Sequence, residues 1–135
     1  MDSSVAAGIL TALVLQFGYL IEDYNIPQPK VEWYKGASYT TFRRTGAPQL
    51  GKADCGYKRY SNGTKKPFCR IKINECLVNH PTQLFETYVH ELAHAVDWLT
   101  DEKWDNHRGQ WKRVMKAWGL YEATPDGKYA PPVSC

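Results

Sequence analysis

His90-Glu91-Leu92-Ala93-His94 is the stretch of this sequence whose residue types and spacing spell out a reaction. Histidines four apart share one face of a helix, so both imidazoles can point at a single metal ion. Glu91, one residue on, can reach an attacking water without ligating the metal. A zinc hydrolase needs this arrangement. The ion polarises the scissile carbonyl and acidifies the water, and the carboxylate takes the water's proton and later passes it to the leaving amine. The expected cofactor is Zn2+, with Glu91 as the general base and His90 and His94 as ligands.

A catalytic zinc takes a third protein ligand and keeps one position open. His107 is the best candidate, at the start of a helix whose apolar stripe comprises Trp111, Val114, Met115 and Trp118. That stripe must pack inward and would carry His107 towards the metal. The alternative is a carboxylate, Glu102 or Glu122, as in thermolysin-like enzymes, but neither sits well on a helix. Asp97, three residues after His94, reads as an acceptor orienting a ligand imidazole, or as a solvated charge. The metzincin pattern fails, because position 97 is Asp and no His occupies position 100.

Three helices and a small sheet are expected to position these groups. A first amphipathic helix is predicted over about Ser4 to Tyr24, from Val5, Ile9, Leu13, Phe17 and Leu20 at spacings of three and four. Pro27 and Pro29 end it. Short β-rich runs follow at Val31–Tyr34, Ser38–Arg44, Ala53–Tyr60 and Phe68–Asn74, with turns at Gly36, Gly46, Gly51 and Ser61-Asn62-Gly63. In the last run Cys69, Ile71 and Ile73 face inward and Arg70 and Lys72 outward, as in a small antiparallel sheet with one wet face. The motif helix starts at Pro81 and runs to about Leu99, burying Leu84, Tyr88, Leu92, Ala95, Val96 and Leu99. A polar loop over Thr100–Asp105 leads to the third helix, capped by Asn106, running from His107 to about Trp118 and ended by Gly119. The fold class is α+β, a minimal zincin-like core.

The chain of 135 residues and 15.5 kDa suits one domain, with a core over about 5–120 and an irregular tail over 121–135. With 43% hydrophobic and 23% charged residues, disorder and low complexity are excluded. No apolar run reaches the roughly 20 residues of a membrane span. The Val5–Ile21 stretch lacks the basic start and the small-residue cleavage site of a signal peptide, so it reads as a helix of an intracellular protein. Cys55, Cys69, Cys76 and Cys135 form no C-x-x-C pair and read as free thiols in a reducing compartment; one disulfide, Cys55 to Cys69 across a hairpin, is the alternative. Charge is uneven. Residues 30–72 hold eleven Lys or Arg and two acids, while the whole chain is only +3. A one-sided basic sheet is the footprint of a polyanion partner. Its candidate contacts are Arg43, Arg44, Lys58, Arg59, Lys65, Lys66, Arg70 and Lys72, interleaved with aromatics that could stack on unpaired bases. The alternative is that these charges merely solubilise an exposed sheet.

Several segments in order along the chain resemble the SprT-like (Spartan-type) zinc metalloprotease family. Ile71-Lys72-Ile73-Asn74 with Leu77 is similar to the family's I-x-L/I-N-x-x-L strand. Glu86-Thr87 leads into His90-Glu91-Leu92-Ala93-His94-Ala95, and His107-Arg108-Gly109-Gln110-Trp111 resembles the H-G-x-x-W/F segment with its glycine displaced by one place. The resemblance implies zinc ligands His90, His94 and His107, Glu91 as general base, and cleavage of proteins bound or crosslinked to DNA. The expected partners are a protein substrate and DNA, single-stranded or partly unpaired, with no membrane and a monomeric chain. Two other readings stay open: a DNA-binding module with structural zinc and no proteolysis, and a small zinc peptidase unrelated to DNA.

Overall fold

The computed structural model describes residues 3–34, 50–101 and 109–120. The expected strand at Ser38–Arg44 lies outside them, as do Arg43, Arg44, Glu102, His107, Glu122 and the tail. In chain order the elements are α1 (Ser3–Phe17), a 3-10 turn (Gly18–Ile21), β1 (Lys30–Tyr34), β2 (Gly51–Arg59), β3 (Lys65–Asn74), a second 3-10 turn (Glu75–Asn79), α2 (Pro81–Asp101) and α3 (Gly109–Ala117). The class is α+β: in chain order an N-terminal helix, a small three-stranded sheet and two later helices.

The sheet has the order β1-β3-β2. β2 and β3 form the expected antiparallel hairpin. Its turn uses Gly63 at φ 85° and Asn62 Oδ1, which accepts from the Thr64 amide at 3.1 Å and the Thr64 hydroxyl at 2.7 Å. β1 runs parallel to β3, so the sheet is mixed rather than wholly antiparallel. Alternation along a strand specifies which face a residue takes and says nothing of strand direction. The faces are as read: Cys69, Ile71 and Ile73 are buried, whereas Arg70 is exposed and Lys72 half-buried.

The register sets Cys55 directly opposite Cys69, with Cα atoms 4.1 Å apart, and the two form a disulfide. The free-thiol reading is corrected in favour of its alternative, the Cys55–Cys69 disulfide across the hairpin, and no described cysteine is a free thiol. Such bonds persist in oxidising surroundings, so the cysteines lend no support to a reducing compartment.

One core joins the layers. Ile71, Ile73 and Leu77 meet Tyr88, Leu92 and Val96 of α2 and Trp111, Val114 and Met115 of α3. α2 starts on Pro81, where a missing N–H costs nothing, and it is buried nearly all round. α3 closes at Gly119, whose φ of 73° lets the Leu120 amide reach the Met115 carbonyl at 3.0 Å.

α1 is shorter than expected and gives way to a 3-10 turn at Gly18, a poor residue for a helix interior. Its buried line runs through Leu10, Leu13 and Phe17, while Val5 and Leu15 are exposed. The predicted stripe faces the core at Ile9, Leu13, Phe17 and Leu20 but not at Val5, and further apolar residues such as Leu15 lie outside it. The Ser4–Ile21 segment has a mean hydropathy of 1.9 over 18 residues and is 28% buried, so by length and composition it could cross a membrane. Here it docks on the core: Phe17 packs on Phe85 with ring centroids 5.0 Å apart, and Trp33 Nε1 donates to the Ala6 carbonyl at 2.8 Å.

Candidate metal centre

α2 carries the two motif histidines on one face, and their Nε2 atoms are 3.1 Å apart. His90, Glu91 and His94 bring their donor atoms within 4.8 Å of one another and could hold a metal ion. The donor set fits zinc. Two nitrogens bound tetrahedrally at about 2.0–2.1 Å lie roughly 3.3 Å apart, close to the spacing found.

Trp111 of α3 seats this pair. Its indole N–H donates to the His90 carbonyl at 3.2 Å. Its ring meets His90 edge-on at 5.0 Å and stacks on His94 at 5.5 Å between centroids. Trp111 is fully buried, so the imidazoles lean on a fixed wall. The sequence places Trp111 on the apolar stripe of α3 and within the family-like segment. It gives no sign that the indole touches both histidines.

Glu91 is buried, and its Oε1 lies 3.9 Å from His90 Nε2. Burial, helped by the Asp54 carboxylate, pushes its carboxyl up to about 8 in the metal-free protein. Asp54 stands on β2, paired with Lys52 at 3.2 Å and Lys72 at 3.3 Å. Burial also holds the Tyr34 phenol above its ordinary range, with Lys52, Asp54 and Glu91 close enough to act on it. Asp97 is fully buried, which removes the solvated-charge alternative for it.

Gly51 was expected at a turn but opens β2, directly beneath the motif helix. A Cβ there would stand 2.5 Å from Thr87 Cγ2 and 3.1 Å from Glu91 Cγ. Only a residue without a side chain permits that approach.

The basic residues are arranged in two groups. Lys52, Lys58, Lys66, Arg70 and Lys72 share one face of the sheet with Lys30, against two carboxylates, Glu32 and Asp54. That face is opposite the one bearing Ile71 and Ile73, which packs on α2. Cations on this wet face leave the sheet on the side opposite α2, although the Lys52–Asp54–Lys72 group stays near enough for Asp54 to act on Glu91. Arg59 and Lys65 pair across the exposed end of the hairpin. There Lys58 and Lys66 flank the ring of Tyr60 at 6.0 and 5.6 Å from its centroid. Tyr57 faces the other way and meets Trp98 edge-on at 5.4 Å.

A buried His-Glu-His cluster on a helix, packed against a small sheet, is the arrangement of a metallopeptidase-type module. The family model of the SprT-like family matches residues 26–128, and the chain belongs to that family. No curated protein and no solved structure matches the chain significantly.

Proposed function

We propose that the chain is a zinc-dependent endopeptidase acting on DNA-bound or DNA-crosslinked proteins. The observation that carries the peptidase reading is the pair of facing Nε2 atoms, 3.1 Å apart, with a buried carboxylate one residue along the same helix. His90 and His94 would hold the ion, with His107 as the expected third ligand. When bound, zinc supplies Lewis-acid polarisation of the scissile carbonyl and stabilises the negative charge that develops there. Glu91 accepts the proton of the attacking water and delivers it to the departing amine. Its dry surroundings keep the carboxylate basic enough for that task, since burial disfavours its charged form. Trp111 holds the backbone of His90 and thereby the direction of the imidazole.

Support for a DNA partner is electrostatic. Two like-charged cross-strand pairs, Lys58 with Lys66 and Arg59 with Lys65, repel each other at the hairpin tip. A polyanion relieves that repulsion and releases counterions. DNA held on the wet face would anchor the substrate without touching the metal centre, because the sheet lies between them. The same placement favours the second reading, a zinc peptidase independent of DNA. Glu91→Gln should retain zinc and fold yet lose cleavage of a protein substrate. Adding single- or double-stranded DNA at low salt should accelerate the wild type, and an unchanged rate would select the DNA-independent reading. The proposed setting is intracellular. The Cys55–Cys69 disulfide weighs against it, and alkylation of thiols in intact cells before non-reducing electrophoresis decides the point.

A further inference from the structure

Two buried polar atoms beside the metal centre have no hydrogen-bond partner among the described residues: Thr87 Oγ1 and Glu91 Oε2. Thr87 is fully buried. A buried unpaired hydroxyl is costly, and valine would fill the same space without that cost. Its presence at position 87 therefore asks for a use. Thr87 precedes Glu91 by one helical turn, so the two side chains are neighbours on one face of α2. Both also rest on the bare backbone of Gly51, at distances that leave no room for even a methyl group. The two unpaired atoms are complementary, a hydroxyl donor and a carboxylate acceptor, and a side-chain rotation within one turn joins them.

We propose that Thr87 is a positioning residue for the general base: its hydroxyl donates to the Glu91 carboxylate and fixes the direction of its proton-accepting oxygen, with Gly51 as the floor for both. This inference rests on the peptidase reading of Glu91. A hydrogen bond to a charged acceptor is among the stronger kinds, and misaiming a general base lowers turnover more than substrate binding.

Thr87→Val keeps the shape and removes the hydroxyl. If Thr87 only fills space, this variant is at least as stable as the wild type and equally active. On the proposal, kcat for a protein substrate falls about tenfold or more, with KM, zinc content and urea midpoint unchanged, and Thr87→Ser restores most of the rate. Equal kcat for Thr87→Val, or a Thr87→Ser variant as impaired as Thr87→Val, overturns it. The zinc-loaded protein crystallised at neutral pH gives a readout independent of rate. Thr87 Oγ1 should lie about 2.6–3.0 Å from a Glu91 oxygen, and a separation beyond about 4 Å overturns the proposal. Glu91→Gln is assayed alongside. If wild type and Glu91→Gln behave alike, the peptidase reading fails and the crystallographic distance still decides the contact. If Glu91→Gln is inactive and Thr87→Val is not, only the role of Thr87 falls.

Discussion

Replacing Glu91 by Gln should change how stability depends on pH in the metal-free protein, in a direction set by burial. The Glu91 carboxyl is raised from 4.5 to about 8, chiefly by desolvation and secondarily by Asp54. In the unfolded chain it titrates near its ordinary value, so between the two values the folded state holds a proton that the unfolded state has lost. Folding stability is therefore full below about pH 4.5 and declines as pH rises, until the folded carboxyl itself ionises near 8. At about 1.36 kcal/mol per pH unit, the loss amounts to about 3 kcal/mol by pH 7 and at most about 5 kcal/mol above pH 9. Glutamine has nearly the same shape and no proton to lose. Urea unfolding in the presence of a chelator, at pH 5.5, 7 and 8.5, should show Glu91→Gln gaining on the wild type at each step. Adding zinc should shrink the gap, because a nearby dication favours the carboxylate. Parallel pH curves for the two proteins would refute the claim that Glu91 is buried in a low-dielectric site.

Trp111→Phe removes the bond to the His90 carbonyl and leaves a gap behind both imidazoles. A loss of about 2 kcal/mol by urea unfolding is expected, with zinc affinity about tenfold weaker in a chelator competition. Gly51→Ala drives a methyl into Thr87 and Glu91. Thermal melting should show a destabilisation of about 1–3 kcal/mol. Converting Cys55 and Cys69 together to Ala opens a cross-link spanning a sequence separation of 14. The reduction in stability should be about 3 kcal/mol on the loop-entropy account. Lys58→Glu with Lys66→Glu should weaken DNA binding and lower the dependence of log Kd on log salt by about two, measured by fluorescence anisotropy.

The parts of the site that lie on one helix were legible in the sequence, because a spacing of four is itself a geometric statement. The same holds for Ile71 and Ile73, whose period of two assigned them to the core face. What stayed hidden depends on chain segments far apart in sequence. Gly51 looks like any turn glycine until β2 is laid under α2. Trp111 reads as core until α3 brings it against His90 and His94. The Cys55–Cys69 disulfide was open in the sequence as an alternative, and strand register decides it, since a one-residue slip would have separated the two. The parallel course of β1 beside β3 likewise has no signature within either strand. The stripe read for the first helix is the core face except at Val5, and the apolar residues beyond it, such as Leu15, are too many for one face, so packing against Phe85 and Tyr88 decides which are buried.

The account turns on whether His90 and His94 hold a metal while Glu91 stays free. Anomalous diffraction at the zinc edge from crystals of the zinc-loaded chain tests this most directly. One peak is expected about 2.1 Å from Nε2 of both His90 and His94, with the Glu91 carboxylate outside bonding distance and His107 as third ligand. A peak bound through Glu91, or one remote from α2, would contradict it.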